Sequence, residues 1–148
     1  MEVRFIPREP TILVVFDLHN GLNVNAVVSE DGADLPIDRI RQDSTVRLTF
    51  PEELPPNQPV TVTFQYEGQL IGTENSPVEG VSLASIESNR AYLLYPARWF
   101  PVNGYAADRF AAEISITVPA NYNVIASGIG TREDIEGRVK HTFTFSQP

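Results

Sequence analysis

Tyr92-Leu-Leu-Tyr-Pro-Ala-Arg-Trp-Phe-Pro-Val-Asn-Gly-Tyr-Ala-Ala-Asp-Arg-Phe-Ala-Ala-Glu-Ile-Ser-Ile-Thr-Val118 is the stretch on which the fold reading turns. An apolar run from Ala91 to Tyr95 is cut at Pro96, an aromatic segment with two prolines and a glycine follows, and strict alternation resumes at Phe110, Ala112, Ile114, Ile116 and Val118. That pattern reads as strand, stiff loop, strand. Aromatic side chains in a proline-stiffened loop bring a large apolar area to bury, so an ordered loop is expected. It carries Trp99, the single tryptophan of the chain.

Outward from this stretch the same period recurs. Val3 and Phe5 alternate with charged neighbours ahead of Pro7 and Pro10, as in an edge strand, and Thr11 to Phe16 is a continuous apolar run of the kind buried on both faces. Asn20-Gly21 and Ser29-Glu30-Asp31-Gly32 supply turns around a strand with Leu22, Val24, Ala26 and Val28 facing inward. Val46, Leu48 and Phe50 form another strand. Pro51 to Pro59, with four prolines, reads as a surface loop. Val60, Val62, Phe64 and Tyr66 follow as a strand, Glu67 to Gly80 as a long polar excursion, and Val81 to Ile86 as a short strand. Beyond the central stretch, Asn121 to Ala126 and Val139 to Phe145 read as two strands joined by an acidic loop from Gly128 to Gly137. No window shows helical periodicity. The expected fold is all-β, an antiparallel β-sandwich or saddle-like sheet.

The 148 residues suit one domain, and a chain of this size buries roughly 70% of its unfolded surface. It has no cysteine, which excludes disulfides, thiolate zinc sites and thiol nucleophiles. A net charge of -8, with Lys140 the single lysine among eleven basic residues, argues against nucleic acid as a partner. No apolar run approaches the roughly 20 residues that span a bilayer. Met1 directly ahead of strand-like Glu2 to Ile6 fits a start placed after a removed leader, as in an exported protein.

The residue types that carry chemistry fall in no catalytic pattern. His19 sits in a turn, and His141 shares the parity of Val139, Phe143 and Phe145, the position of a hydrogen-bonded histidine at the core edge. Ser127-Gly128 lacks the first glycine of a nucleophile elbow, and Gly128-Ile129-Gly130 precedes no helix. The pairs Glu30/Asp31, Glu52/Glu53 and Glu133/Asp134 read as solvated turns, and Asp31 with Asp34 lacks a calcium loop. No catalytic residue or metal ligand emerges.

The order of segments resembles the N-terminal β domain of the membrane alanyl aminopeptidase family of zinc metallopeptidases, from about Val14 to Pro148. Ala97-Arg98-Trp99-Phe100-Pro101 is similar to the family's Ala-Arg-x-x-Phe-Pro, with one residue rather than two between Arg and Phe. Phe110 to Pro119, Asn123-Val124-Ile125-Ala126-Ser127-Gly128 and Val60-Thr61-Val62-Thr63-Phe64-x-Tyr66-x-Gly68 fall where the family has strands. The resemblance implies a non-catalytic domain covering 1–148 of a larger polypeptide, packed on a catalytic domain not included here and forming one wall of a peptide-substrate cleft. It implies no cofactor in this chain and zinc in the catalytic domain, whose H-E-x-x-H and G-x-M-E-N are not in this sequence. Tyr92, Tyr95, Arg98, Trp99 and Tyr105 are the expected interface or cleft-lining residues. For Trp99 and Phe100 core packing is the plainer role, whereas the Arg98 guanidinium suits a carboxylate partner.

Two positions depart from the family pattern. Val102-Asn103-Gly104-Tyr105 stands where typical members have Asp-Glu-Pro, and Tyr92-Leu93 stands where they carry the Glu or Gln that reaches the substrate amine. Apolar side chains cannot balance an ammonium group, so acids of the catalytic domain would have to hold it. The alternative reading is a free-standing β-sandwich that binds carbohydrate or protein on an exposed platform of Tyr92, Tyr95, Trp99 and Tyr105.

Overall fold

A computed structural model describes residues 1–70, 79–94, 97–104 and 110–146. Every regular element in it is a β-strand. The chain forms two compact units, Met1–Tyr105 and Ala106–Pro148.

The first unit is built on two three-stranded antiparallel sheets. One has the order β1 (Glu2–Phe5), β6 (Val60–Gly68), β3 (Leu22–Ser29); the other has β2 (Thr11–Asp17), β5 (Thr45–Leu54), β4 (Ile37–Ile40). Their inner faces meet through aromatic rings. Phe16 of β2 lies edge-on to Phe5 of β1 at 5.7 Å and to Phe64 of β6 at 5.3 Å, the arrangement that ring quadrupoles favour. The two central strands hold fully buried residues: Val46 and Leu48 on β5 and Val62 and Phe64 on β6 are at most 1% exposed. Full burial of each contributes about 1.5–3 kcal/mol.

Several expectations change at particular residues. β2 is dry on one face only: Val14 and Phe16 are inside, Leu13 on the opposite face is exposed, and Ile12, which shares their parity, is exposed at the register shift next to Thr11. In β3 the register slips between Val24 and Ala26, so that Asn25 has no opposite number on β6. This bulge reverses the parity of the strand. Leu22 is buried as expected, but Val27 takes the core position (1% exposed), while Ala26 and Val28 stay half-buried. β5 runs on to Leu54, so Pro51 to Glu53 belong to the strand. Thr11 pairs with Leu54 and Leu13 with Thr49, and the extra residues between them bulge out where a proline needs no ladder partner.

A short hairpin completes this unit: β7 (Ala84–Ile86) and β8 (Ala91–Leu93). Ala84 is buried, and Leu83 and Leu93 pack against the core. The expected strand at Val81 to Ile86 is thus present but shorter. Most of the polar excursion, residues 71–78, lies outside the described residues.

The second unit is one sheet in the order β10 (Ile129–Ile135), β11 (Arg138–Phe145), β9 (Ala112–Pro119). Direct pairing sets Val118, Ile116 and Ile114 opposite Val139, His141 and Phe143, which places these side chains on one face. Asn121 to Ala126, expected as a strand, is an irregular connection, and the expected acidic loop is β10 itself. Every residue of β10 is exposed, so it carries no apolar alternation to read. Its hairpin to β11 closes through Glu136-Gly137, both at positive φ (24° and 77°), as two-residue primed turns require. Phe143 covers Gly130, where a Cβ would come within 3.0 Å of the ring.

Candidate functional site

Ala97 to Gly104, the aromatic loop, is fastened at the end of β2 and to the arch that carries the chain from β2 into β3. Its first anchor is backbone. The His19 amide donates to the Arg98 carbonyl (2.9 Å), and Asp17 exchanges both main-chain bonds with Val102 (2.7 and 3.2 Å). The Asn103 side-chain amide donates to the Val15 carbonyl at 3.1 Å. Through these bonds the loop continues the sheet along the outer edge of β2, covering ladder groups that an edge strand otherwise leaves open.

Arg98 occupies the left-handed region at φ 53°, uncommon for a residue with a long side chain. Its guanidinium lies 3.9 Å from the Asp17 carboxylate, with both side chains largely enclosed. The carboxylate partner expected for Arg98 therefore exists within this unit. Trp99 packs half-buried against the core and edge-on to Phe100 at 4.6 Å. Phe100 is 7% exposed, and Pro101 and Val102 are buried. The plainer role of packing is what these two rings perform.

Tyr92 lies on β8, opposite Ser85, with its ring partly exposed and its hydroxyl donating to the Ser82 carbonyl at 3.3 Å. Tyr95 and Tyr105 lie outside the described residues. Of the five expected site residues, the structure thus joins Arg98 and Trp99 in one loop and sets Tyr92 on the hairpin.

Other residues hold the loop's base that the sequence reading missed. Arg39 shares the inward parity of Ile37 on β4, and it caps the arch: Nη2 donates to the carbonyls of Leu18 (2.7 Å) and His19 (2.8 Å). Burial first, and then the neighbouring Arg41 and Arg98, push its pKa down. An arginine on the inward parity of a strand was the available signal. Arg39 Nε and Nη1, Thr45 Oγ1 and Trp99 Nε1 are buried without a hydrogen-bond partner among the described residues.

Tyr66 at the end of β6 donates its hydroxyl to the Trp99 carbonyl at 3.3 Å, and burial raises its phenol pKa. A raised folded value means that the contribution is complete below the unfolded pKa of about 10 and is lost as pH climbs through the folded value. Unfolding measured across the alkaline range should therefore show stability falling above pH 10. Tyr66→Phe should lose about 1 kcal/mol at neutral pH and show a shallower alkaline fall. An unchanged alkaline slope in that variant would remove Tyr66 as its source.

Chemically, the site stiffens and presents a surface. Among the described residues no three His, Asp or Glu side chains converge as metal ligands. His141 is buried in the second unit, stacked on Phe143 at 6.2 Å, but its Nε2 lacks the hydrogen bond expected of a core-edge histidine. No helix among the described residues is long and apolar enough to cross a membrane.

No protein-family profile matches the chain, and no curated protein matches it. The fold is similar to a crystal structure of an M1 zinc metallopeptidase from Deinococcus radiodurans, with a TM-score of 0.80 and 23% identity over 97% of this chain. A mutant of that protein bound to a Tyr-Ser-Ala substrate gives 0.80 and 25%. A mutant two-domain M1 zinc metallopeptidase bound to L-tryptophan gives 0.72 and 24%. In each case the chain spans about a third of the other's length (33%). At such identities the likeness is one of fold.

Proposed function

We propose that this chain is the non-catalytic N-terminal β domain of a zinc-dependent, aminopeptidase-like metallopeptidase. In this reading it packs on the catalytic domain of the same polypeptide and forms one wall of the peptide cleft, with Tyr92, Tyr95, Arg98, Trp99 and Tyr105 at or near that contact. The observation that carries it is the superposition of nearly the whole chain on a third of an M1 zinc metallopeptidase. The described residues of this chain do not fit zinc, since no ligand set converges. In this reading the metal, and the hydrolysis it supports, belong to the catalytic domain.

An internally tied loop suits a wall better than a catalytic element. The alternative, a free-standing module with an aromatic platform, asks for Trp99 to face solvent. Its packing against the core speaks for the wall instead.

The test is to read the coding sequence beyond Pro148 and express the whole product beside the 148-residue chain. The whole product is expected to bind zinc and hydrolyse short peptides from the N-terminus, and the chain alone to do neither. A stop codon directly after Pro148, or peptide hydrolysis by the chain alone, overturns the proposal.

A further inference from the structure

The chain contains two Asn-Gly steps, Asn20-Gly21 and Asn103-Gly104, and the structure treats them very differently. Asn-Gly is where a backbone nitrogen most readily attacks the preceding side-chain amide, because glycine has no Cβ to hinder the approach and turns freely. At Asn20 that reaction is blocked from both sides. The attacking nitrogen is occupied, since Gly21 N–H donates to His19 Nδ1 at 2.9 Å. The amide is held too: Nδ2 donates to the Arg41 carbonyl at 2.8 Å, and Oδ1 accepts from Arg39 at 3.3 Å.

Asn103 stands in contrast. Its side chain is exposed, its amide is tied by one bond to the Val15 carbonyl, and the following Gly104 sits at φ 70° in a turn. We propose that Asn103 is a site of spontaneous deamidation, and that the reaction loosens the junction between the aromatic loop and β2. The Gly104 nitrogen bonds to Asn103 Cγ and gives up its proton, the Cγ–Nδ2 bond breaks, and ammonia leaves. Water then opens the cyclic imide to aspartate or isoaspartate. Nothing is oxidised or reduced, and water is the sole co-reactant.

The consequence follows from the same bond. Nδ2 is the donor that Val15 O receives, and the product puts an anionic acceptor in its place, so the two oxygens repel where they attracted before. The aspartate chain stays in register but loses that tether. Isoaspartate also lengthens the backbone by one methylene beside Val102, whose amide closes the bridge to Asp17 at 3.2 Å. The loop that caps the open edge of β2 is thereby weakened at its last anchor.

The experiment uses the 148-residue chain, incubated in mildly alkaline buffer and mapped by peptide mass spectrometry. Conversion at Asn103 is expected to outpace that at Asn20 by about tenfold or more, because Asn20-Gly21 holds its reacting groups with three hydrogen bonds and Asn103 with one. In denaturant the two sites should react alike. Equal rates in the folded chain, or faster loss at Asn20, overturn the site. The second arm reads the Val102 amide by hydrogen exchange in Asn103→Asp, where several-fold faster exchange is expected. Exchange unchanged from the parent chain overturns the loosening.

Discussion

Replacing Phe16 with Ala is expected to destabilise the first unit by about 3–5 kcal/mol. Phe16 is 2% exposed and lies between Phe5 on the edge strand β1 and Phe64 on the central strand β6 of the opposing sheet. Its removal therefore costs transfer energy, leaves a cavity, and breaks both edge-on contacts between the sheets. Ile12→Ala on the same strand is the control. Ile12 is 53% exposed, and its truncation should stay within about 1 kcal/mol. Denaturant unfolding followed by Trp99 fluorescence distinguishes the two. Comparable losses from both variants would mean that the dry face of β2 extends from Phe16 to Ile12 after all, as its uninterrupted apolar sequence suggested.

The second large effect is expected at a backbone crossing. Where β3 begins and β6 ends, Leu22 pairs with Gly68, and the Gln69 amide donates to the Gly21 carbonyl at 3.1 Å. A Cβ built on Gly21 lands on the Gln69 carbonyl, and one on Gly68 lands on the Gly21 carbonyl. These obstacles are main chain and cannot swing aside as a side-chain tip can. Gly21→Ala and Gly68→Ala should each cost about 3 kcal/mol or more. Gly32, also at positive φ (84°) but with open space around it, should lose only about 1 kcal/mol as Gly32→Ala, the strain of the left-handed region. If all three variants unfold at the same denaturant concentration, the close approach of the two strands is wrong.

These two expectations divide along the line between what local pattern could and could not reveal. Strands with one wet and one dry face announced themselves: Val46, Leu48 and Phe50 in β5, Val62 and Phe64 in β6, and Val139 and Phe143 in β11 are all buried at the parity that alternation assigns. β10 gave no such signal. Its Gly-Thr-Arg-Glu-Asp core is exposed throughout and is a strand only because β11 offers a ladder to pair with. The β3 bulge was equally silent, since a single unpaired residue leaves composition unchanged while reversing every later side chain. Within the candidate site, the aromatic loop was legible from its prolines and rings. Its anchors were not. Neither Asp17 nor Arg39 stands out by local pattern, and each acquires its role from residues far away in sequence.

By itself, then, the amino-acid order determined the all-β class, the absence of a thiol or a recognisable catalytic set, the main core positions, and the place of the stiff aromatic loop. Those properties follow from period, composition and ring chemistry, which are local. Tertiary structure alone decided which face of β2 is dry, where β3 changes parity, that Arg98 meets Asp17, and that of two identical Asn-Gly steps one is shielded and the other open. Each of those depends on which distant backbone arrives beside the residue, and pairing across long loops is set by the packing of the whole unit rather than by neighbours along the chain.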